Sequence, residues 1–237
     1  MLNFSSSATE TDLRSAIVEC GRIAYERHLM TSNDGNISVR MNDGHVLITP
    51  SGISKGRLTL DDMLVVDLDG NIISSRPDCK PSSETPMHLE VYKQRDDVRA
   101  VVHAHPIFAT TLTVADLEFP IDVLPEVLLT MGEVPITRYA TPSSHEDAEV
   151  IRPFVKDHNA MLLRQHGSLT FGKNLDEALI HLERIEHVSE IYWRAKMMGT
   201  VKRVLPKHKL SLLNCGKNIS RSIAALSKQK IFFCNFR

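Results

Sequence analysis

Long apolar runs are missing from the 237-residue chain: no stretch approaches the roughly 18 to 20 uninterrupted apolar residues that cross a bilayer, so no membrane partner is expected. The opening MLNFSSSATETD has no basic region followed by an apolar run, so it does not read as a secretory signal and a cytoplasmic location is expected. No CxxC pair occurs. Cys20, Cys79, Cys215 and Cys234 are scattered, which argues for reduced thiols rather than a disulfide framework or a structural zinc knuckle. Neither a P-loop nor GxGxxG is present, which leaves nucleotide binding without a motif. Internal repeats and low-complexity linkers are absent too, and the 42% hydrophobic content suits a single domain, 1–237, with one substantial core. Acidic residues stop at Glu190: from Arg194 to Arg237 the chain carries +11, so the remainder holds -12 of the net -1. No aromatic stacking platform or nucleic-acid motif accompanies this basic tail, so it is expected to balance acidic protein surface and no nucleic-acid partner is expected.

What is present is a regular alternation of helical and extended patterns. Thr9 with Asp12 resembles a capping pair, and Leu13, Ile17, Cys20 and Ile23 recur at helical spacing, predicting a helix over 10–29. SNDGNISVR supplies a turn followed by a strand, HVLITPSG a second strand, and MLVVDLDGNIIS a hairpin around Asp69-Gly70. KPSSETPMHLEVYKQR reads as a loop feeding a helix, RAVVHAHP as a strand stopped by Pro106, and IFATTLTVAD as a helix. EDAEVIRPFVKDHN predicts a helix that Pro153 kinks or ends. AMLLRQHGSLTFG reads as one strand with a central glycine. LDEALIHLERIEHVSEIYWRAKMM predicts a long helix with Leu175, Leu179, Leu182, Ile185 and Tyr192 near one face. Beyond Gly199 only SRSIAALSK suggests a helix, and 200–237 stay unassigned. Strands interleaved with helices indicate a layered α/β domain.

Chemistry concentrates on a few side chains. His103 and His105 are separated by one residue of a predicted strand, so both imidazoles project from the same face and can share one ion. An isolated HxH is equally compatible with two strand-end histidines that bind nothing. His166 and Glu84 add weight, because three nitrogens plus a carboxylate form the layout of a catalytic zinc centre. Gly35-Asn36, Ser51-Gly52 and Ser82-Ser83 are small polar turns beside predicted elements, able to offer N–H groups and hydroxyls to an anion. Each turn alone is a weak signal.

GNIS, TPSG, KPSSET, HAHP and QHG, in this order and spacing, resemble the class II aldolase/adducin family over roughly residues 10–198. The resemblance implies a three-layer α/β/α sandwich with a mostly antiparallel central sheet, assembled as a cyclic homotetramer. It implies that His103, His105, His166 and Glu84 bind Zn2+, and that Gly35, Asn36, Ser51, Gly52, Ser82 and Ser83 hold a sugar phosphate. The implied reaction is cleavage of a ketose 1-phosphate, such as L-fuculose 1-phosphate or a related deoxy-ketose, into dihydroxyacetone phosphate and an aldehyde through a metal-stabilised enediolate. Glu84 would then leave the metal and move the proton.

Two departures bear on the second half of such a substrate. Fuculose phosphate aldolases carry a tyrosine where this chain has Leu124, and another near the C-terminus, whereas no tyrosine follows Tyr192 here. Glu126 resembles in position the acid/base glutamate of methylthioribulose-1-phosphate dehydratases; an ordinary surface glutamate at a helix start fits the same position equally well. Epimerases and decarboxylases of the family share the zinc site, although a glutamate rather than aspartate at 84 favours aldol cleavage over epimerisation. A non-catalytic adducin-like binding module should have lost ligands that this chain keeps.

Overall fold

The computed structural model of the chain describes Leu2 and residues 7–202. The expected helix over SRSIAALSK and the apolar IFFCNF lie outside the described residues, as do Cys215 and Cys234.

Thr9 opens helix α1 (Glu10–Glu26) through a reciprocal box: its hydroxyl accepts the Asp12 N–H, and the Asp12 carboxylate accepts the Thr9 N–H. Strands β1 (Asn36–Arg40), β2 (Val46–Ile48), β3 (Leu64–Val66) and β4 (Ile72–Ser74) follow as a meander. Next come α2 (Thr85–Gln94), β5 (Ala100–Ala104), α3 (Ile107–Val114), α4 (Pro125–Thr130) and α5 (Glu146–Ile151). The described fold ends with β6 (Ala160–Leu163), β7 (Gly167–Gly172) and α6 (Leu175–Met197). The seven strands form one sheet in the order β4-β3-β2-β1-β5-β7-β6, every neighbouring pair antiparallel.

Strand alternation sorts the side chains between two helical layers. Ile37, Val39, Leu47, Ala100, Val102 and Ala104 pack against α1 and α6. Val46, Ile48, Val101, Leu169 and Phe171 pack against α2 and α5 on the opposite face. Each fully enclosed Val, Leu, Ile or Phe contributes about 1.5–3 kcal/mol, so both faces are strongly committed and a one-residue slip of any central strand would be costly. A third cluster joins α3, α4 and the later turns of α6. The expected sandwich with its antiparallel sheet is therefore what the chain adopts. Among the described residues no helix is long and apolar enough to cross a membrane.

One expectation changes and another is narrowed. AMLLRQHGSLTFG is not one strand but the β6–β7 hairpin, with Arg164 and Gln165 in the turn and the His166 N–H closing onto the Leu163 carbonyl at 3.1 Å. Gln165 takes the left-handed conformation (φ 54) that usually calls for glycine or asparagine, so the turn left no mark in the residue types. Of the two outcomes expected at Pro153, a kink or an early end, the helix at 146 takes the early end, stopping at Ile151, because proline supplies no N–H and its ring crowds the preceding turn.

Candidate metal centre

His103 lies on β5 with the same parity as Val101, so it faces α2 rather than α1. It is directly opposite Asn36 of β1 and Leu169 of β7, in the middle of the sheet. Pro106 ends the strand, and His105 is the last residue before that stop. Glu84 is the N-cap of α2 and arrives over the same end of the sheet. His166, in the β6–β7 turn, completes the group. One ligand atom from each of Glu84, His103, His105 and His166 lies within 4.8 Å of the other three.

The contacts are close and directional. Glu84 Oε2 is 3.3 Å from His103 Nε2, and Glu84 Oε1 is 3.0 Å from His166 Nε2. The Nε2 atoms of His103 and His105 are 2.9 Å apart. His103 donates from Nδ1 to the Ser168 carbonyl at 2.9 Å, which leaves its Nε2 lone pair for the centre. This second-sphere bond fixes the tautomer that a metal-ligating histidine needs. Three imidazole nitrogens and one carboxylate suit a divalent ion of the zinc type.

The electrostatics favour a cation there. Burial alone would raise the Glu84 carboxyl, but the His103 charge and hydrogen bonds from His103, His166 and Asn36 hold it well below the usual carboxylate range. Burial opposes a proton on His103, yet the Glu84 charge and hydrogen bond raise its pKa. His105 is pushed down to about 3 by burial, and the charges of His103 and His166 add to this. A doubly charged ion would satisfy the same carboxylate without a second proton on any ring, leaving the His103 Nδ1–H on the Ser168 carbonyl.

Behind Glu84 runs a buried polar chain. Asn36 Nδ2 donates to Glu84 Oε2 at 2.7 Å and to Ser82 Oγ at 3.0 Å. Because a carboxylate only accepts, the amide oxygen must face the other way, where it accepts from His88 Nε2 at 2.5 Å. The Ser38 hydroxyl then donates to His88 Nδ1 (2.7 Å) and accepts from the Tyr92 hydroxyl (2.8 Å). Burial first, and the His103 charge second, bring His88 down to about 3, so the neutral ring keeps one defined tautomer. His88 is functional scaffolding that the sequence reading did not single out. The signal was present in Glu84, His88 and Tyr92 at helical i, i+4, i+8 spacing, matched by Asn36 and Ser38 on one strand face.

The small polar turns gather beside this centre. Ser51 donates its N–H to the Lys80 carbonyl (2.9 Å), and Pro50 bridges to Pro81, so the TPSG and KPSS segments run side by side. Ser82 Oγ accepts from the Glu84 N–H at 3.3 Å, and Ser83 Oγ pairs with Ser143 Oγ at 2.7 Å. Gly35 and Gly52 both have positive φ, 75 and 77. At Gly35 a Cβ would stand 2.7 Å from the His103 carbonyl, so only glycine lets this loop pass under the metal-facing strand. Glu126 is exposed in the first turn of α4 and is not one of the four converging residues.

Helix α3 braces two of the ligands. Its first amide groups, Phe108 N–H and Ala109 N–H, donate to the Glu186 carboxylate of α6 at 3.0 and 2.9 Å. Thr113 Oγ1, one helical face later, accepts the Gln165 N–H at 3.0 Å and so pins the turn that carries His166. Glu186→Ala should lower stability by about 1–2 kcal/mol, the cost of stripping acceptors from a helix N-terminus. It should also weaken the hold of the four-residue group on a divalent ion, since His105 lies just before α3; Glu186→Gln should fall between the two. Thermal unfolding with and without added divalent metal ions checks both effects.

Residues 15–193 match the family described as class II aldolase and adducin N-terminal domain. The chain belongs to that family. It is 36% identical over 181 residues to an L-fuculose phosphate aldolase of Methanococcus maripaludis, covering 76% of this chain and 95% of the relative. It is 32% identical to a 3-oxo-tetronate 4-phosphate decarboxylase of Haemophilus influenzae, covering 77% and 89% respectively. The crystal structure of YgbL from Klebsiella pneumoniae superposes with a TM-score of 0.79 at 30% identity, covering 88% of this chain and 100% of that one. This class II aldolase family member thus has both aldolases and decarboxylases among its relatives.

Proposed function

We propose that the chain is a zinc-dependent lyase that cleaves a ketose 1-phosphate, L-fuculose 1-phosphate or a related deoxy-ketose, into dihydroxyacetone phosphate and an aldehyde. The observation that carries this reading is the convergence of three imidazole nitrogens and the Glu84 carboxylate at the mouth of three polar loops. In this reading the protein is a single-domain cytoplasmic homotetramer.

A bound zinc ion would supply Lewis-acid stabilisation of the negative charge left on the substrate oxygens. The chain's own groups do the rest. Gly35, Asn36, Ser51, Gly52, Ser82 and Ser83 hold the phosphate end, helped by the positive N-terminal end of α2. Glu84, kept ionised and aimed by Asn36, takes and returns the proton at the carbon whose bond is broken or made. Both Glu84 oxygens have partners, Asn36 Nδ2 on Oε2 and His166 Nε2 on Oε1, which orient the carboxylate in the cleft.

Decarboxylation of a 3-oxo-tetronate 4-phosphate is the competing reading, and Leu124 favours it. Aldol cleavage must draw a proton from the departing hydroxyl, a task the family tyrosines assist. Loss of carbon dioxide from a β-keto acid leaves the same type of enediolate with no hydroxyl proton to remove, so Leu124 costs that reaction nothing. Both reactions end in dihydroxyacetone phosphate. Purified, zinc-loaded protein offered each substrate in turn should release dihydroxyacetone phosphate with an aldehyde from the 1-phosphate. Release only from the keto acid, with carbon dioxide, would replace the aldolase assignment by the decarboxylase one. Glu126, if it acts as the acid/base residue, should affect the aldolase rate alone when changed to Gln.

A further inference from the structure

Lys55 is a charged side chain that the reactions above leave unused. It is only 2% exposed, although it begins a short 3-10 turn, Lys55–Arg57, between two surface loops. Its Nζ donates to the carbonyl of Asn33 at 2.7 Å and to that of Ile53 at 2.8 Å. Asn33 leads into Gly35 and Asn36, and Ile53 directly follows Ser51 and Gly52. One ammonium group therefore straps together the two loops read as holding the phosphate.

The backbone around it is clamped. Gly21 of α1 lies so near that a Cβ there would meet the Lys55 carbonyl at 2.5 Å, and a Cβ on Gly56 would meet the Tyr25 ring at 2.4 Å. Helix α1 thus fixes where the turn sits, and the lysine stem has one direction in which to extend. Both hydrogen-bond partners are neutral, and Asp34 and Glu84 act on the amine through space. Burial brings the amine down to about 8, against the opposing pull of Asp34 and Glu84, so it remains largely charged at neutral pH. Burying a cation without a contacting carboxylate is costly, and a methionine would fill similar volume without that cost. The charge is explained if an anion arrives: a phosphate dianion entering beside Asp34 and Glu84 meets two negative groups, and Lys55 offsets them.

We propose that Lys55 is a positioning residue for the phosphate end of the substrate, tying the 33–36 and 51–53 loops into one cradle and giving that cradle a fixed positive charge. The inference rests on the reading of those loops as the phosphate holders. The test uses the full-length, zinc-loaded protein and its Lys55→Met, Lys55→Gln and Lys55→Arg variants, with folding and zinc content verified. Calorimetry measures inorganic phosphate binding, and turnover in the aldol-forming direction compares dihydroxyacetone phosphate with neutral dihydroxyacetone. Lys55→Met should weaken inorganic phosphate by about tenfold to a hundredfold, as expected for losing one unit charge acting through a few ångströms of protein. KM for the phosphorylated substrate should rise in step, with KM for dihydroxyacetone and zinc content unchanged, and Lys55→Arg should recover part of the loss. Lys55→Gln keeps a donor without charge, so it carries the test should Lys55→Met not fold. Wild-type phosphate affinity in both neutral variants, or an equal loss for both substrates, would overturn the role. A wild-type protein that holds zinc but binds no phosphate would instead remove the underlying reading of the loops.

Discussion

Glu84→Gln should lower kcat by about 10²–10⁴-fold while zinc stays bound, the range expected for deleting a positioned acid/base group. The carboxamide has nearly the volume of the carboxylate, and its oxygen can still accept from Asn36 Nδ2 as Oε2 does at 2.7 Å. The three imidazoles remain, and three protein ligands are what a catalytic zinc centre commonly retains. What disappears is an acid/base pair. Glu84 is held far below the usual carboxylate range against the effect of burial, so in the free site it stays ionised as pH falls, and its loss is not mimicked by mild acid. His103→Ala makes the contrast, because it removes a nitrogen 3.3 Å from Glu84 and leaves that carboxylate without its strongest partner. That variant should lose zinc and turnover together. Dihydroxyacetone phosphate release, paired with elemental analysis for zinc, separates the two cases. Full turnover in Glu84→Gln would end the acid/base assignment.

The parts of this centre that could be read in advance are those governed by short-range periodicity. HxH on a strand places both rings on one face whatever the fold; β5 carries Val101 and His103 with one parity on the α2 side, and His105 follows just past its last residue, Ala104. Thr9 and Asp12 announce α1 for the same local reason, and the apolar stripe from Leu175 to Tyr192 announces α6. His166 was harder. Its place beside Glu84 depends on a turn at Gln165 whose left-handed backbone is held by Thr113 of α3, 52 residues away, rather than by turn-forming residue types. His88 was hidden differently: only the pairing of β1 with β5 reveals that Asn36 stands across from His103 and so links α2 to the metal face. Nothing in the sequence marks Lys55, because the Asn33 and Ile53 carbonyls that take its amine are brought to it only by the fold.

Gly167→Ala is the second change expected to disable the centre, through space rather than chemistry. A Cβ at this position would lie 2.4 Å from the Ala104 carbonyl oxygen and 2.7 Å from His105 Cδ2. Neither neighbour can withdraw cheaply. The carbonyl belongs to β5, which is paired on both sides in the middle of the sheet, and the His105 ring is packed 4.8 Å, centroid to centroid, from both His103 and His166. The added methyl group must therefore separate β7 from β5 at the point where His166 and His105 converge. Stability should fall by about 1–3 kcal/mol, the usual cost of overpacking. A displacement approaching 1 Å of a ligand should cost on the order of a hundredfold in kcat/KM. Gly44→Ala supplies the comparison, since Gly44 has φ 90 but nothing within 4 Å of an added Cβ. It should lose about 1–2 kcal/mol to left-handed strain alone and keep parental zinc affinity. Denaturant unfolding and zinc titration of both variants decide the matter: should Gly167→Ala bind zinc as tightly as Gly44→Ala, close approach of β7 to β5 is not what sets the spacing of the imidazoles.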